Sequence, residues 1–348
     1  MTRHDGETMG SGEVTGVVVV GVDGSRNARD AVAWAVDEAR VRGAILHVVH
    51  VSPALPSAVP EWVPDDANIA EVAQAVVDDA VALASIRHPS VVVQGAVRSG
   101  APVPELIEAG AHADLLVLGA RGAGGFLGLL VGSVSERCIQ QARGPVVVVR
   151  AGHDDEHEVT TGGRVVVGID GSPDARRALR WALEEARIRN APLEAVCAWQ
   201  YPPTHAVVAT SALRFERSAR EAELRARDDA ARWAPDVPFA VSVVDEAIVP
   251  ALLDRARGAQ LLVVGPHGQG GYRDLLLGSV AHQCVHHAPC PVAVVRNPRG
   301  ANVVEGEHGD DGDTAGAGVG DDEHRWTTKV AALHGQGASS PGRQGAGR

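Results

Sequence analysis

Two sets of residues in this chain are spaced for anion chemistry. Gly119, Gly122, Gly132 and Ser133 form a G-x2-G-x9-G-S pattern, and Gly265, Gly268, Gly278 and Ser279 repeat it. A glycine behind a strand lets backbone N–H groups approach an anion with no Cβ in the way. A Gly-Ser pair opening a helix adds free amides and the positive end of the helix dipole. The expected chemistry is the cradling of phosphate, with Ser133 and Ser279 serving as helix N-caps and hydroxyl donors. Tight turns alone explain a single glycine-rich loop equally well; two matched copies shift the balance toward phosphate.

Other chemistries fall away on residue type. Lys329, near the C-terminus, is the only lysine in the chain. A Walker A loop, the strand lysine of a protein kinase and a pyridoxal phosphate Schiff base all need a lysine in the domain and have none. No GxSxG elbow occurs in either half, and the GxGxxG fingerprint is incomplete, because Gly122, Gly124 and Gly125 are followed by Leu127 and the helix starts only later. The run His282, Cys284, His286, His287, Cys290 suggests zinc at first sight. It is set aside because Cys284 has a counterpart, Cys138, that lies amid no histidines, and HHAPCPV ends a helix and starts a strand where QARGPVV does so in the first half; no metal is expected. Asp78 and Asp79, and the Glu and Arg residues of 184–189, read as solvated helix faces.

The elements that must position these residues occur twice. GVVVVGVDGSRNARDAVAWAVDEARVRGA from Gly16 returns as GRVVVGIDGSPDARRALRWALEEARIRNA from Gly163, so Asp23 matches Asp170 and Trp34 matches Trp181. Further on, ADLLVLGARGAGGFLGLLVGSVSERC pairs with AQLLVVGPHGQGGYRDLLLGSVAHQC, a single deletion separating the two registers. Strands are expected in the first copy at 17–22, 44–51, 91–97, 114–119 and 145–150, their near-continuous apolar character requiring cover on both faces. Helices are expected at 27–42, 67–87, 103–111 and 133–142. The fold class is α/β: two tandem Rossmann-like domains, each a five-stranded parallel sheet with helices on both faces. Residues 1–13 and 298–348 are expected to be disordered, the latter rich in Gly, Asp and Ser. The domains are placed at 14–150 and 163–297, joined by the acidic linker 151–162. The proline-rich stretch VSPALPSAVPEWVPDD, and the region beginning YPPTHAVVATS in the second copy, read as loops, the former a lid candidate.

A formal charge of −12 repels nucleic acid and anionic membranes, and neither is expected as a partner. Four cysteines without a CxxC pair make no disulfide scaffold. There is no apolar h-region at the N-terminus and no stretch of about 18 apolar residues, and the expected location is the cytoplasm.

The glycine motif, the openings GVDGS and GIDGS and the closings PVVVVR and PVAVVR together resemble the universal stress protein family in a tandem two-domain form. The resemblance implies strand order 3-2-1-4-5 in each domain, ATP as ligand, with or without Mg2+, and a regulatory role in stress survival or growth arrest rather than strong catalysis. It implies that Asp23 and Asp170 lie beside the adenine or ribose, and that the second-strand backbone at Val51 and Ala198 meets the adenine. Without the family context, Asp-Gly-Ser is also plain turn and N-cap chemistry. Arg121 would add a cationic contact in the first copy.

The second copy departs at Glu246 for Gly100, Gln260 for Asp114 and Pro266-His267 for Ala120-Arg121. The proline removes an N–H from the expected cradle, so the first copy is expected to bind nucleotide more tightly. The alternatives are a slow ATPase or autophosphorylating enzyme using Ser133 or Ser279, and a scaffold that binds no nucleotide. The last strand of each domain offers an edge that the halves can share, leaving other faces for a homodimer; the sequence names no protein partner.

Overall fold

The computed structural model describes residues 16–53, 66–123, 130–150, 163–199, 209–269 and 277–296. The proline-rich stretch from Ala54, its counterpart from Tyr201, Gly124, Gly125 and Leu127, the linker and both chain termini lie outside the described residues.

The first repeat runs β1 (Val17–Val22), α1 (Arg26–Arg42), β2 (Ile45–Ser52), α2 (Asp66–Arg87), β3 (Val93–Ser99), α3 (Pro102–Gly110), β4 (Leu115–Gly119), α4 (Ser133–Gln141) and β5 (Val146–Val149). The second runs β6 (Val165–Gly168), α5 (Pro173–Ile188), β7 (Leu193–Trp199), α6 (Ala209–Trp233), β8 (Phe239–Asp245), α7 (Ile248–Arg255), β9 (Leu261–Val264), α8 (Ser279–His287) and β10 (Val292–Val294). Local chemistry sets these bounds. Ser25 caps α1 by accepting from Ala28 N at 3.2 Å, and Gly43, at φ 65°, ends it in the left-handed conformation. Ser172 caps α5 in the same way, with Pro173 at its first turn.

Both repeats have parallel strands in the order 3-2-1-4-5, and they fuse into one sheet, β3-β2-β1-β4-β5-β10-β9-β6-β7-β8. The join is antiparallel, with Val146 opposite Val294 and Val148 opposite Val292. An unpaired Val-rich β5 would be a sticky edge, and the other repeat covers it. Two cores result, one on each face of the sheet. One holds Val18, Val20 and Val22 together with buried residues of α1, α2, α5 and α6, and the other holds Val19 together with residues of α3, α4, α7 and α8. The outer strands β3 and β8 alternate between half-buried and exposed positions instead of being covered on both faces, because they form the edges of the joined sheet.

The seam overturns one sequence expectation. Glu185 is 1% exposed and the Arg189 side chain 6%, so residues 184–189 are not simply a solvated face. Arg42 and Arg189 each pair with both Glu38 and Glu185, closing a four-membered ring of charge between α1 and α5. The i,i+4 spacing that usually marks a surface pair here points both members of each helix at their counterparts in the other repeat. On the opposite face, Arg150 donates to Val285 O at 2.9 Å and Arg296 Nε to Ile139 O at 2.7 Å, a reciprocal tie of each last strand to the other repeat's final helix.

Candidate functional site

In the order 3-2-1-4-5 the connections reverse direction between β1 and β4, and their carboxyl ends leave a crevice between them. A cavity of about 520 Å3 lies there, within the ordinary range for small-molecule sites. Asp23, Val51, Gly119, Arg121, Gly122, Gly132 and Ser133, the seven residues singled out in the first copy, all line it. Val49, Leu106 and Leu118 give it an apolar wall, and Ser135 adds a hydroxyl.

Asp23 is held by the backbone around it. Its Oδ1 accepts from Ser25 N at 3.1 Å and its Oδ2 from Ala123 N at 2.7 Å, which ties the end of β1 to the loop after β4. The turn-and-cap reading of Asp-Gly-Ser is therefore correct as local chemistry, with Gly24 at φ 78° and Ser25 as the cap. The same carboxylate also faces the cavity, so the two readings coexist.

The motif glycines have three different reasons to be glycine. A Cβ on Gly119 would stand 2.7 Å from Asn27 O, so this position is bare because α1 packs on the end of β4. A Cβ on Gly122 would overlap Asp23 Oδ2. A Cβ on Gly132 would meet nothing closer than 3.6 Å, with Gly122 N among its nearest atoms. Only at Gly132 does the protein itself leave the room open. Helix α4 starts with Gly132 as N-cap and no side-chain cap bond, and α8 starts likewise at Gly278. Ser133 and Ser279 are thus the first residues inside their helices and not the caps, because the extended backbone falls one residue earlier.

The second copy repeats the framework. Asp170 accepts from Ser172 N at 2.9 Å and Gln269 N at 2.7 Å, a Cβ on Gly268 would press on Asp170 Oδ2, and Gly265 abuts the backbone of Asp174. Gly278 N donates to Pro266 O at 2.7 Å, as Gly132 N does to Ala120 O. Ala198 lies near the end of β7, half-buried, in the place of Val51.

Two of the noted departures prove structural. Asp114 accepts from Val17 N at 3.1 Å, whereas Gln260 donates to Gly163 O at 2.7 Å; each ties the start of a fourth strand to the start of a first strand. Burial raises the Asp114 carboxyl against the pull of Arg42. The proline argument also fails: Ala120 N donates to Val149 O at 2.7 Å, so that amide belongs to the sheet and its loss in Pro266 takes nothing from a cradle.

Three departures lie at the site or against the glycine that ends β4. Arg121 lines the first cavity, while His267 sits with its Nδ1 3.5 Å from Asp174 Oδ2. Asp174 itself replaces Asn27, and it also pairs with Arg177. Ser135, whose hydroxyl donates to Gly119 O at 2.7 Å, is replaced by Ala281. Aligning the two halves residue by residue exposes both of the last substitutions; neither lies inside the glycine motif that drew attention.

The described residues contain no helix long and apolar enough to cross a membrane. A family model, that of the Universal stress protein family, matches residues 15–150 and 163–296. Universal stress protein Rv2005c of Mycobacterium tuberculosis is 37% identical over 293 residues, covering 80% of this chain and 96% of its own length. A solved universal stress protein from Archaeoglobus fulgidus shares the fold at a TM-score of 0.59 and 20% identity, over 80% of this chain and 98% of that one. A universal stress protein solved in complex with cAMP is 28% identical over 40% of this chain and 99% of its own, with a TM-score of 0.32. With both repeats matched by the family model and a relative aligned across the pair, the chain belongs to the universal stress protein family.

Proposed function

We propose that the chain is a cytoplasmic ATP-binding regulator of stress survival or growth arrest, with 14–150 and 163–297 as its nucleotide-binding domains. The observation that carries this reading is the crevice at the ends of β1 and β4. An apolar wall of Val49, Val51, Leu106 and Leu118 suits a flat base, and Asp23 suits a ribose hydroxyl. The open side of Gly132, the first turn of α4 and the Arg121 guanidinium suit a phosphate chain, with Mg2+ accompanying it.

Binding rather than turnover fits the side chains present. Among the described residues that line the cavity Asp23 is the one carboxylate, and two backbone amides already hold it. A general base for an attacking water needs an acceptor free to take a proton. The first site is the tighter of the two in this proposal, because Arg121 lines it whereas its counterpart His267 lies 3.5 Å from the Asp174 carboxylate, which Arg177 also pairs.

Calorimetric titration of the full chain with ATP, ADP, AMP and cAMP tests the reading. Removing a charged hydrogen-bond donor costs about 1.5–3 kcal/mol, so Arg121→Ala weakens ATP binding at the tighter site roughly 10- to 150-fold. Gly132→Ala weakens it too while leaving the melting temperature in place, since its Cβ meets no protein atom closer than 3.6 Å. Absence of heat, and of any thermal shift at millimolar ATP, refutes ATP binding and favours a nucleotide-free scaffold. Turnover abolished by Gly132→Ala would instead favour the ATPase. A homodimer is part of the proposal, and sedimentation of the full chain as a monomer removes it.

A further inference from the structure

Helices α4 and α8 face each other across the seam, and Glu136 and His282 occupy equivalent places in the two repeats. His282 Nδ1 lies 3.7 Å from Glu136 Oε1, and the His282 and His286 rings, one helical turn apart, have centroids 4.2 Å apart. One donor atom from each of Glu136, His282 and His286 falls within 4.8 Å of the others. Nε2 of His286 is buried and has no hydrogen-bond partner among the described residues. Leaving such a nitrogen unmatched is costly, and a cation satisfies it.

We propose that Glu136, His282 and His286 bind a divalent transition-metal cation, Zn2+ foremost, that clips the two repeats together across the seam. Two imidazoles and a carboxylate are a borderline donor set, better matched to zinc than to calcium or magnesium. Tetrahedral bonds of about 2.0–2.2 Å put donor atoms ~3.4 Å apart, so the three side chains close in by roughly an ångström, which torsions at half-exposed positions allow. The His282 and Glu136 side chains are 42% and 35% exposed, which gives the ion an entry path and leaves a fourth position for water.

The cysteines interleaved with these histidines are not ligands: Cys284 and Cys290 point into the core, 0% and 6% exposed. Two of the three proposed ligands, His282 and His286, thus belong to the sequence run that was set aside. The third ligand comes from the other repeat, where no spacing rule reaches. Gln140 stands in the place of His286 in the first repeat, so the cluster is not duplicated there.

The test uses tag-free full-length chain, stripped with chelator and titrated with Zn2+ against a chromophoric competitor. The expected result is a single tight site, weakened at least about 10-fold in His286→Ala, in His282→Ala and in Glu136→Gln, since even second-shell changes cost that much. The Co2+ form is expected to lack a thiolate charge-transfer band, and Zn2+ to raise the melting temperature of the wild type more than that of Glu136→Gln. Glu136 is a half-exposed surface residue, so that variant keeps its fold, checked by circular dichroism. Failure of the wild type to bind, unchanged binding in folded Glu136→Gln, or a thiolate band in the Co2+ form overturns the proposal.

Discussion

Arg189→Met puts the buried charge ring between α1 and α5 to the test. Methionine keeps the stem volume against Trp34, over whose ring the guanidinium sits at 5.3 Å, while removing the charge. Two carboxyls that are each 1% exposed then face Arg42 alone. Above about pH 8, where Glu185 as well as Glu38 is ionised in the wild type, deleting one partner costs about 3–5 kcal/mol, because a buried carboxylate is left without compensation. For a unit of this size that lowers the melting temperature by roughly 5–15 °C.

The penalty depends on pH with a definite sign. In the wild type, burial and then the Glu38 charge push Glu185 up to about 8. Burial also pushes Glu38 upward, but Arg189 and Arg42 outweigh it and hold Glu38 low. The folded state therefore keeps the Glu185 proton where the unfolded chain has released it. The stability linked to Glu185 is full below the ordinary carboxylate range and is lost as pH rises toward 8. Glu38 works in the opposite sense, and its contribution disappears only below that range.

With one guanidinium gone, both carboxyls hold protons more tightly. The destabilisation is then greatest at about pH 8.5, where deprotonation leaves excess negative charge buried, and smaller at about pH 5.5. Urea denaturation of both proteins at the two pH values measures it. A loss under about 1 kcal/mol at the higher pH, or a larger loss at the lower, refutes the reasoning.

Two further outcomes follow from the same packing. Burial raises the thiols of Cys138, Cys284 and Cys290 to about 12 and that of Cys197 to about 11, so none reacts with Ellman's reagent until the chain unfolds; reaction of any of them in the native state contradicts their burial. Residues 14–150 produced alone expose β5, whose valines are at most 6% exposed in the full chain, and that edge pairs antiparallel with a second copy; a monomer by sedimentation at micromolar concentration refutes this.

The individual elements were legible because each carries its own local signal. The Val-rich runs marked the central strands, and the turn and N-cap chemistry of Asp-Gly-Ser marked the start of α1. The joined sheet was legible as an edge on each last strand that the halves can share, and β5 does pair with β10; the antiparallel register was not, since it depends on geometry between the repeats. The charge ring was misread for a physical reason: Glu185 and Arg189 at i,i+4 look the same whether the helix faces water or a second helix with the same pattern.

The differences between the copies show how a duplicated domain separates scaffold from site. Asp114 and Gln260 exchange an acceptor for a donor and keep the same strand tie, and Ala120 to Pro266 surrenders an amide already spoken for by the sheet. These changes preserve the fold and leave the crevice alone. Asn27 to Asp174, Arg121 to His267 and Ser135 to Ala281 instead converge from two helices and a loop on the end of β4 or β9. Substitutions scattered in sequence but gathered in space alter the charge beside the second glycine motif, and a Cβ on Gly278 would stand 3.1 Å from Pro266 O where one on Gly132 would stand 3.6 Å from Ala120 O. The second repeat thus keeps the strand-and-helix framework around its glycine motif while changing the charges beside it, and under the proposed function that difference is what separates the two sites in affinity or in ligand.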